Sequence, residues 1–410
     1  MRLLVITPHF APDTAPTGVV VTELVDEWCR AGHKVHVITS LPWYTENRVV
    51  DDWTGRLVRR DLYGSATVTR LHPFPVDKAR IGRRSVAFGA FSALAALVAS
   101  TCPGPFDAVV ALSPPITLAF TARLAASRHG CPLILNVQDV FPDVAVAVGV
   151  LTSPRLIRLT ARLERAAYRF ADAVTVLSAE VEGNIRAKVA PFSSPPVIET
   201  IPNFADTDNL HPMDRSTDYR RELGLGDRIV VMYAGNLGHS QSLDLVVEAA
   251  RRHQDREDLV YLVNGGGLRA DELAASAGDL ENLLVVGYQP AERLAEVLAT
   301  GDIHVVLLRA GLGSASVPSK IYSSMAVGRP VIASVDLGSE VGRAVSDAGA
   351  GLVVPPDDPD AFTAAVEQLV QNAELRAQMG DAGRDWAENS QSAKGVAVAY
   401  LELMRRLSVS

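Results

Sequence analysis

Short apolar runs alternate with helix-length segments along this chain, and that alternation leaves few folds open. Residues 2–7, 34–39, 107–112, 132–137 and 172–177 are rich in Val, Ile or Leu and read as buried strands. Most are separated by helix-length segments; 22–31 reads as a helix stopped by Gly32. Strands apolar on both faces need cover on both, and intervening helices supply it in a parallel sheet. The cluster Pro191-Phe192-Ser193-Ser194-Pro195-Pro196 breaks the rhythm and predicts a linker. A second series follows, with strands over 228–233, 259–263, 282–286, 302–308, 330–333 and 351–354 and helices over 243–252, 290–299 and 319–327. The pattern predicts two open α/β domains, 1–195 and 196–385, with a helical segment 386–410 packing back toward the first. Two such sheets facing each other make a central cleft suited to a two-part substrate.

Open parallel sheets bind ligands beyond the carboxyl ends of their strands, so the loops there carry the functional reading. The strand at 302–308 leads into Gly311-Leu312-Gly313-Ser314-Ala315-Ser316 and then Val317-Pro318-Ser319-Lys320. Proline suits a first helical turn. The free N–H groups of Ser316, Val317 and Ser319 together with the charge of Lys320 form a recipe for holding a diphosphate. A capped helix with a surface lysine gives the same string. The partial G-x-G-x-x match is no dinucleotide fingerprint, because no acidic residue ends a strand about 20 residues on. Three more loops fall on the same edge: Tyr233-Ala234-Gly235-Asn236-Leu237-Gly238, Asn264-Gly265-Gly266-Gly267 and Gly287-Tyr288-Gln289. Gly235, Asn236, Leu237, Gly238, Gly265, Gly267, Tyr288 and Gln289 are therefore candidate ligand contacts. In the first domain, the proline-rich loop ending at Thr17 and Gly18 suits a phosphate or a transferred sugar. Gln138, Asp139 and Asp143 place an amide and two carboxylates at a strand end, with Asp139 the candidate for contacting an acceptor hydroxyl. Asp206-Thr207-Asp208 reads as a solvated loop; no metal and no other cofactor is expected.

The net charge of −8 conceals an asymmetry: 1–195 carry 21 Lys and Arg against 16 Asp and Glu, and 196–410 carry 18 against 31. No aromatic-rich basic patch accompanies the positive half, which argues against nucleic acid as a partner. Lys78, Arg80, Arg83 and Arg84 crowd into seven residues and precede an uncharged stretch, 85–106. Arg155, Arg158, Arg162, Arg165 and Arg169 draw a stripe on one helix, beside Leu159, Leu163, Ala166 and Phe170. An anionic membrane surface is an expected partner on these grounds; a packed helix with a solvated arginine face is the alternative. Cys29, Cys102 and Cys131 form no C-x-x-C pair, which fits a reducing compartment. The opening apolar run is too short for a signal peptide. The expected location is the cytoplasm, on the inner face of the membrane.

Several of these strings in order resemble a family. The proline-rich loop to Gly18, Ser113-Pro114-Pro115, Val137-Gln138-Asp139-Val140-Phe141-Pro142-Asp143, Ile201-Pro202-Asn203, Tyr233–Gly238 and Ser316–Lys320 with Gly328-Arg329-Pro330 are similar to GT-B glycosyltransferases of family 4. Within it they resemble the colanic-acid, O-antigen and L-fucosamine transferase subgroup. The resemblance implies two Rossmann-like domains and a hexosyltransferase-type enzyme that retains configuration. It places a nucleotide-sugar donor, by default a UDP-sugar, mainly on the second domain, and a glycan, lipid-linked or small-molecule acceptor on the first. It departs from the family's E-x7-E pattern, whose positions fall on Ala315 and Ser323, and the preceding basic pair falls on Asn236 and Gln241. The charge of the leaving diphosphate is then left to Lys320, helped by Arg309. With no evident nucleophile, the leaving phosphate itself takes the acceptor proton, and Asp139 orients the acceptor. A sugar-nucleotide epimerase and an inactive binding subunit of the same fold are the alternatives.

Overall fold

The computed structural model describes residues 1–44, 48–75, 81–389 and 392–409, with backbone alone at 81–85 and 409. Of the basic cluster, Lys78 and Arg80 and the side chains of Arg83 and Arg84 therefore lie outside the described residues. Two compact units emerge, Met1–Asn203 with the segment from Ala393, and Phe204–Ser392.

The first unit contains β1 (Arg2–Ile6), β2 (Lys34–Ser40), β3 (Val58–Tyr63), β4 (Ala66–Leu71), β5 (Ala108–Ser113), β6 (Leu133–Val137), β7 (Ala173–Val176) and β8 (Val197–Thr200). They form one sheet in the order β3-β4-β2-β1-β5-β6-β7-β8. All neighbours are parallel except β3 and β4, an antiparallel hairpin at the edge. Every residue of β5 and β6 is buried, as expected of strands covered on both faces. The sequence pattern does not announce β3, because its residues alternate between exposed and half-buried, and an edge strand needs no apolar run. Nor does it announce β8, which follows the proline cluster and pairs with β7. That pairing carries the first unit past the expected linker to Asn203.

The second unit contains β9 (Ile229–Asn236), β10 (Leu259–Gly266), β11 (Leu283–Val286), β12 (Ile303–Leu307), β13 (Val331–Ser334) and β14 (Gly351–Val354). The sheet order is β11-β10-β9-β12-β13-β14, and the neighbours are parallel. Both β9 and β10 run three residues beyond their expected ends. Gly235 and Gly265 lie in register there, and a Cβ on Gly265 would sit 1.8 Å from the Gly235 carbonyl oxygen. A side chain at 265 would thus part the strands.

In each sheet the chain winds outward from one central strand and then reverses. β1 lies between β2 and β5, and β9 between β10 and β12. The carboxyl ends at such a reversal leave a crevice between loops that turn opposite ways. The helix Pro16–Arg30 begins six residues earlier than expected because Pro16 occupies its first turn. The helix Ala373–Asn389 belongs to the second unit, and Ala393–Val409 to the first. There Trp28 Nε1 donates to the Ala397 carbonyl at 3.0 Å, and the Trp28 and Tyr400 rings meet edge to face. Among the described residues no helix is long and apolar enough to cross a membrane.

Candidate functional site

At the reversal between β9 and β12, the second unit brings Lys320 onto the end of β9. Lys320 opens the helix Lys320–Ala326. Its Nζ lies 3.7 Å from the centroid of the Tyr233 ring and donates to the Tyr233 hydroxyl. Tyr233 Oη in turn donates to the Asn236 carbonyl at 2.6 Å. Gly235 has φ +136°, and its missing Cβ would stand 3.6 Å from Lys320 Cε and Nζ. The strand end therefore curls over the ammonium, although the residue as a whole keeps part of its surface. Burial lowers the Lys320 pKa to about 7. Among the described residues no carboxylate pairs with it. A desolvated cation without a counter-anion is a site that an incoming anion completes.

Around this centre the expected donor contacts divide. Arg309 follows β12 with its Nε buried and, among the described residues, without a hydrogen-bond partner. Its other end reaches Asp244 at 3.5 Å. Asn236 is exposed at the strand end, and Tyr288 stands exposed on the β11 side with its hydroxyl on the Gly266 carbonyl at 3.2 Å. Gln289 bonds the Gly287 carbonyl at 3.2 Å.

The other expected contacts are engaged within the fold. The Leu237 side chain is fully buried, its N–H donates to Gly266 and its carbonyl accepts from Arg269. The Gly238 amide donates to Gln241 Oε1 at 2.9 Å. Gly265 is packed on Gly235, and Gly267 on Leu237 and Asn236. Val317 is buried. The Ser316 N–H, expected free, donates to the Leu312 carbonyl at 3.0 Å. Asp336 already accepts from the amides of Gly311 and Gly313 at 3.1 and 3.2 Å. The loop's anion capacity is therefore partly used by the protein's own carboxylate, and Ser319 immediately precedes the lysine's helix without a capping bond from its side chain.

On the first unit, Thr17 is half-buried at the start of the helix Pro16–Arg30. Gly18 is buried, and a Cβ there would meet the Cβ of His9 at 3.0 Å, so this glycine serves close packing of the loop. Asp139 is half-buried just beyond β6. Its two expected companions are committed elsewhere. Gln138 is buried against Asn136 and Asn203, and Asp143 binds Lys188 at 2.8 Å and Asn184 at 2.9 Å. The structure adds a pair that the sequence reading missed. His9 Nδ1 lies 2.7 Å from the buried Asp13 carboxylate, and Trp43 stacks on the imidazole with centroids 5.7 Å apart. Asp13 also accepts from the Tyr44 amide at 3.2 Å. An ionised carboxylate can only accept, so Nδ1–H is the donor to an ionised Asp13. The signal was a His followed by an Asp four residues on, hidden in a loop read for its prolines.

Comparison with known proteins matches each unit separately. Residues 17–203 match the model of the glycosyl transferase 4-like domain, and 215–386 that of glycosyl transferases group 1. WcaI of Escherichia coli strain K12, named as a colanic acid biosynthesis glycosyl transferase, is 26% identical over 99% of this chain and 100% of its own. A GDP-mannose-dependent alpha-(1-6)-phosphatidylinositol monomannoside mannosyltransferase of Mycolicibacterium smegmatis is 31% identical over 53% of this chain and 58% of its own. Among solved structures, Anabaena Alr3699/HepE in complex with UDP superposes with a TM-score of 0.71, at 14% identity, over 99% of this chain and 100% of that one. That likeness speaks for the fold.

Proposed function

Since this chain is a GT-B glycosyltransferase, its first unit belonging to the glycosyl transferase 4-like domains and its second to the glycosyl transferases of group 1, we propose that it moves a hexose from a nucleotide-sugar to a glycan or lipid-linked acceptor in polysaccharide synthesis. The observation that carries the donor assignment is Lys320, a desolvated cation that has no carboxylate partner among the described residues, at the reversal of the second sheet. Breaking the anomeric C–O bond leaves negative charge on the diphosphate. One donor aimed at such charge is worth about 2.7–4 kcal/mol in other enzymes. The missing family glutamates at Ala315 and Ser323 fit this reading, because no carboxylate at those two positions then competes for Lys320. Arg309 supplies a second positive charge, and Tyr288 a ring for the base.

The transfer proceeds with retention. The leaving phosphate takes the acceptor proton, and Asp139 orients the acceptor hydroxyl. The polysaccharide role is carried over from WcaI, whose name places it in colanic acid biosynthesis. The base is open between uridine, seen with HepE, and guanosine, named for the mycobacterial relative. The test is nucleoside-diphosphate release from UDP- and GDP-sugars, with and without lipid-linked saccharides extracted from host membranes. Release that rises with the extract supports transfer. An epimerised donor without release would assign an epimerase, and bound donor without either product a binding subunit.

A further inference from the structure

The helix Pro154–Phe170 of the first unit has three faces where a helix lying on a sheet needs two. One face packs inward through Glu164, Ala167 and Tyr168, all buried, with Glu164 accepting from Lys188 Nζ at 2.7 Å and from Tyr168 Oη at 2.9 Å. The arginine stripe expected from the sequence is exposed along its length. Of the apolar stripe beside it, Leu159, Leu163 and Phe170 are exposed as well and Ala166 is half-buried, while Leu156 extends the stripe by a turn. Leu156, Leu159, Leu163 and Phe170 stand 51%, 52%, 38% and 40% open. At 3.6 residues per turn the three stripes lie about a third of a turn apart. Leucines and arginines thus share the outward half of the helix, and the packed-helix alternative accounts for the solvated arginines but not for the exposed leucines. The helix Leu118–His129 continues the pattern, with Phe120 edge-on to Phe170 at 5.7 Å, Leu124 48% open, and Arg123 and Arg128 exposed.

Charge decides what covers this face. The only acid in the helix is Glu164, and it is buried. A second copy docked symmetrically would bring two arginine stripes together with no carboxylate from either helix to pair them. A negatively charged lipid surface satisfies both stripes at once. Apolar side chains enter the boundary between headgroups and acyl chains, while guanidinium groups stay among the phosphates. Five arginines exclude the helix as a membrane span.

We propose that the outward face of Pro154–Phe170 rests on an anionic lipid bilayer, with Leu156, Leu159, Leu163 and Phe170 inserted and the arginine stripe on the headgroups. This assignment stands independently of the glycosyl-transfer reading. It is tested by co-sedimentation of the full chain with vesicles of phosphatidylcholine alone and of phosphatidylcholine with phosphatidylglycerol. The expected result is binding to the mixed vesicles, weakened by salt. Partition drops about a hundredfold in the triple variant Arg158→Gln, Arg162→Gln, Arg165→Gln, and roughly tenfold or more in Leu159→Ser, Leu163→Ser. Both variants change only exposed side chains, so their melting temperatures should match the parent and separate lost binding from lost folding. Equal partition into both vesicle types, absence of binding to either, or indifference to the leucine substitutions overturns the assignment. So does a concentration-dependent dimer abolished by the leucine substitutions without vesicle binding, or salt-sensitive binding to polyglutamate alone.

Discussion

Lys320 and Tyr233 show how one residue's chemistry is set by a neighbour that the sequence places 87 positions away. Burial holds the Lys320 pKa near 7, below the ordinary lysine value of 10.5. Between those values the unfolded chain binds a proton that the folded one lacks. Lys320 therefore costs stability in full below about pH 7, and the cost fades as pH rises toward 10.5. Lys320→Met should raise the melting temperature of the unliganded protein near neutrality and weaken nucleoside-diphosphate binding. Binding should also follow the lysine's charge. From about pH 7.5 upward the diphosphate is fully ionised. There, parent affinity should fall by up to about tenfold per pH unit while the variant's stays flat; titration calorimetry across that range checks both. The lysine was legible because a strand, a glycine-serine loop and a helix start stand in order before it. Tyr233 was not, because β9 and β12 become neighbours only through the reversed strand order. The Ser316 amide looked free because its bond to Leu312 depends on how the loop turns.

At the scale of elements, what read as glycine-rich ligand loops are in part strand ends. Gly265 lets β10 approach β9 where any Cβ would overlap the Gly235 carbonyl. Gly265→Ala should part the strands and destabilise the second unit by about 1–3 kcal/mol or more, the usual cost of overpacking. Urea denaturation monitored by circular dichroism reads it directly; an unchanged midpoint would show that the strand ends are not so tightly paired. The buried strands of both sheets were legible from continuous Val, Ile and Leu runs. The hairpin β3–β4 was not, since its outer strand is half solvated and carries Arg59, Arg60 and Asp61.

For the whole molecule, the last helix is part of the first unit's core. Trp28 is almost wholly buried by it, and Tyr400 Oη accepts from Asn136 at 2.7 Å and meets Thr175 at 3.0 Å. Removing residues from 393 onward should expose Trp28, shift its fluorescence to the red and lower the melting temperature; an unshifted spectrum would contradict the docking. The αβ rhythm made two domains legible, but not the point where the chain crosses between them. That crossing lies beyond β8, a four-residue strand too short for its pattern to stand out from the linker. The central claim concerns the second unit, that Lys320 receives the diphosphate of a nucleotide-sugar, and a thermal-shift screen with UDP, GDP, ADP, TDP and CDP tests it most directly. A ligand that binds only the folded state stabilises it by about 2.7 kcal/mol at 100 times its Kd. A rise in melting temperature with one base, lost in Lys320→Ala, is the predicted result. No shift with any of the five, or an undiminished shift in Lys320→Ala, would contradict it.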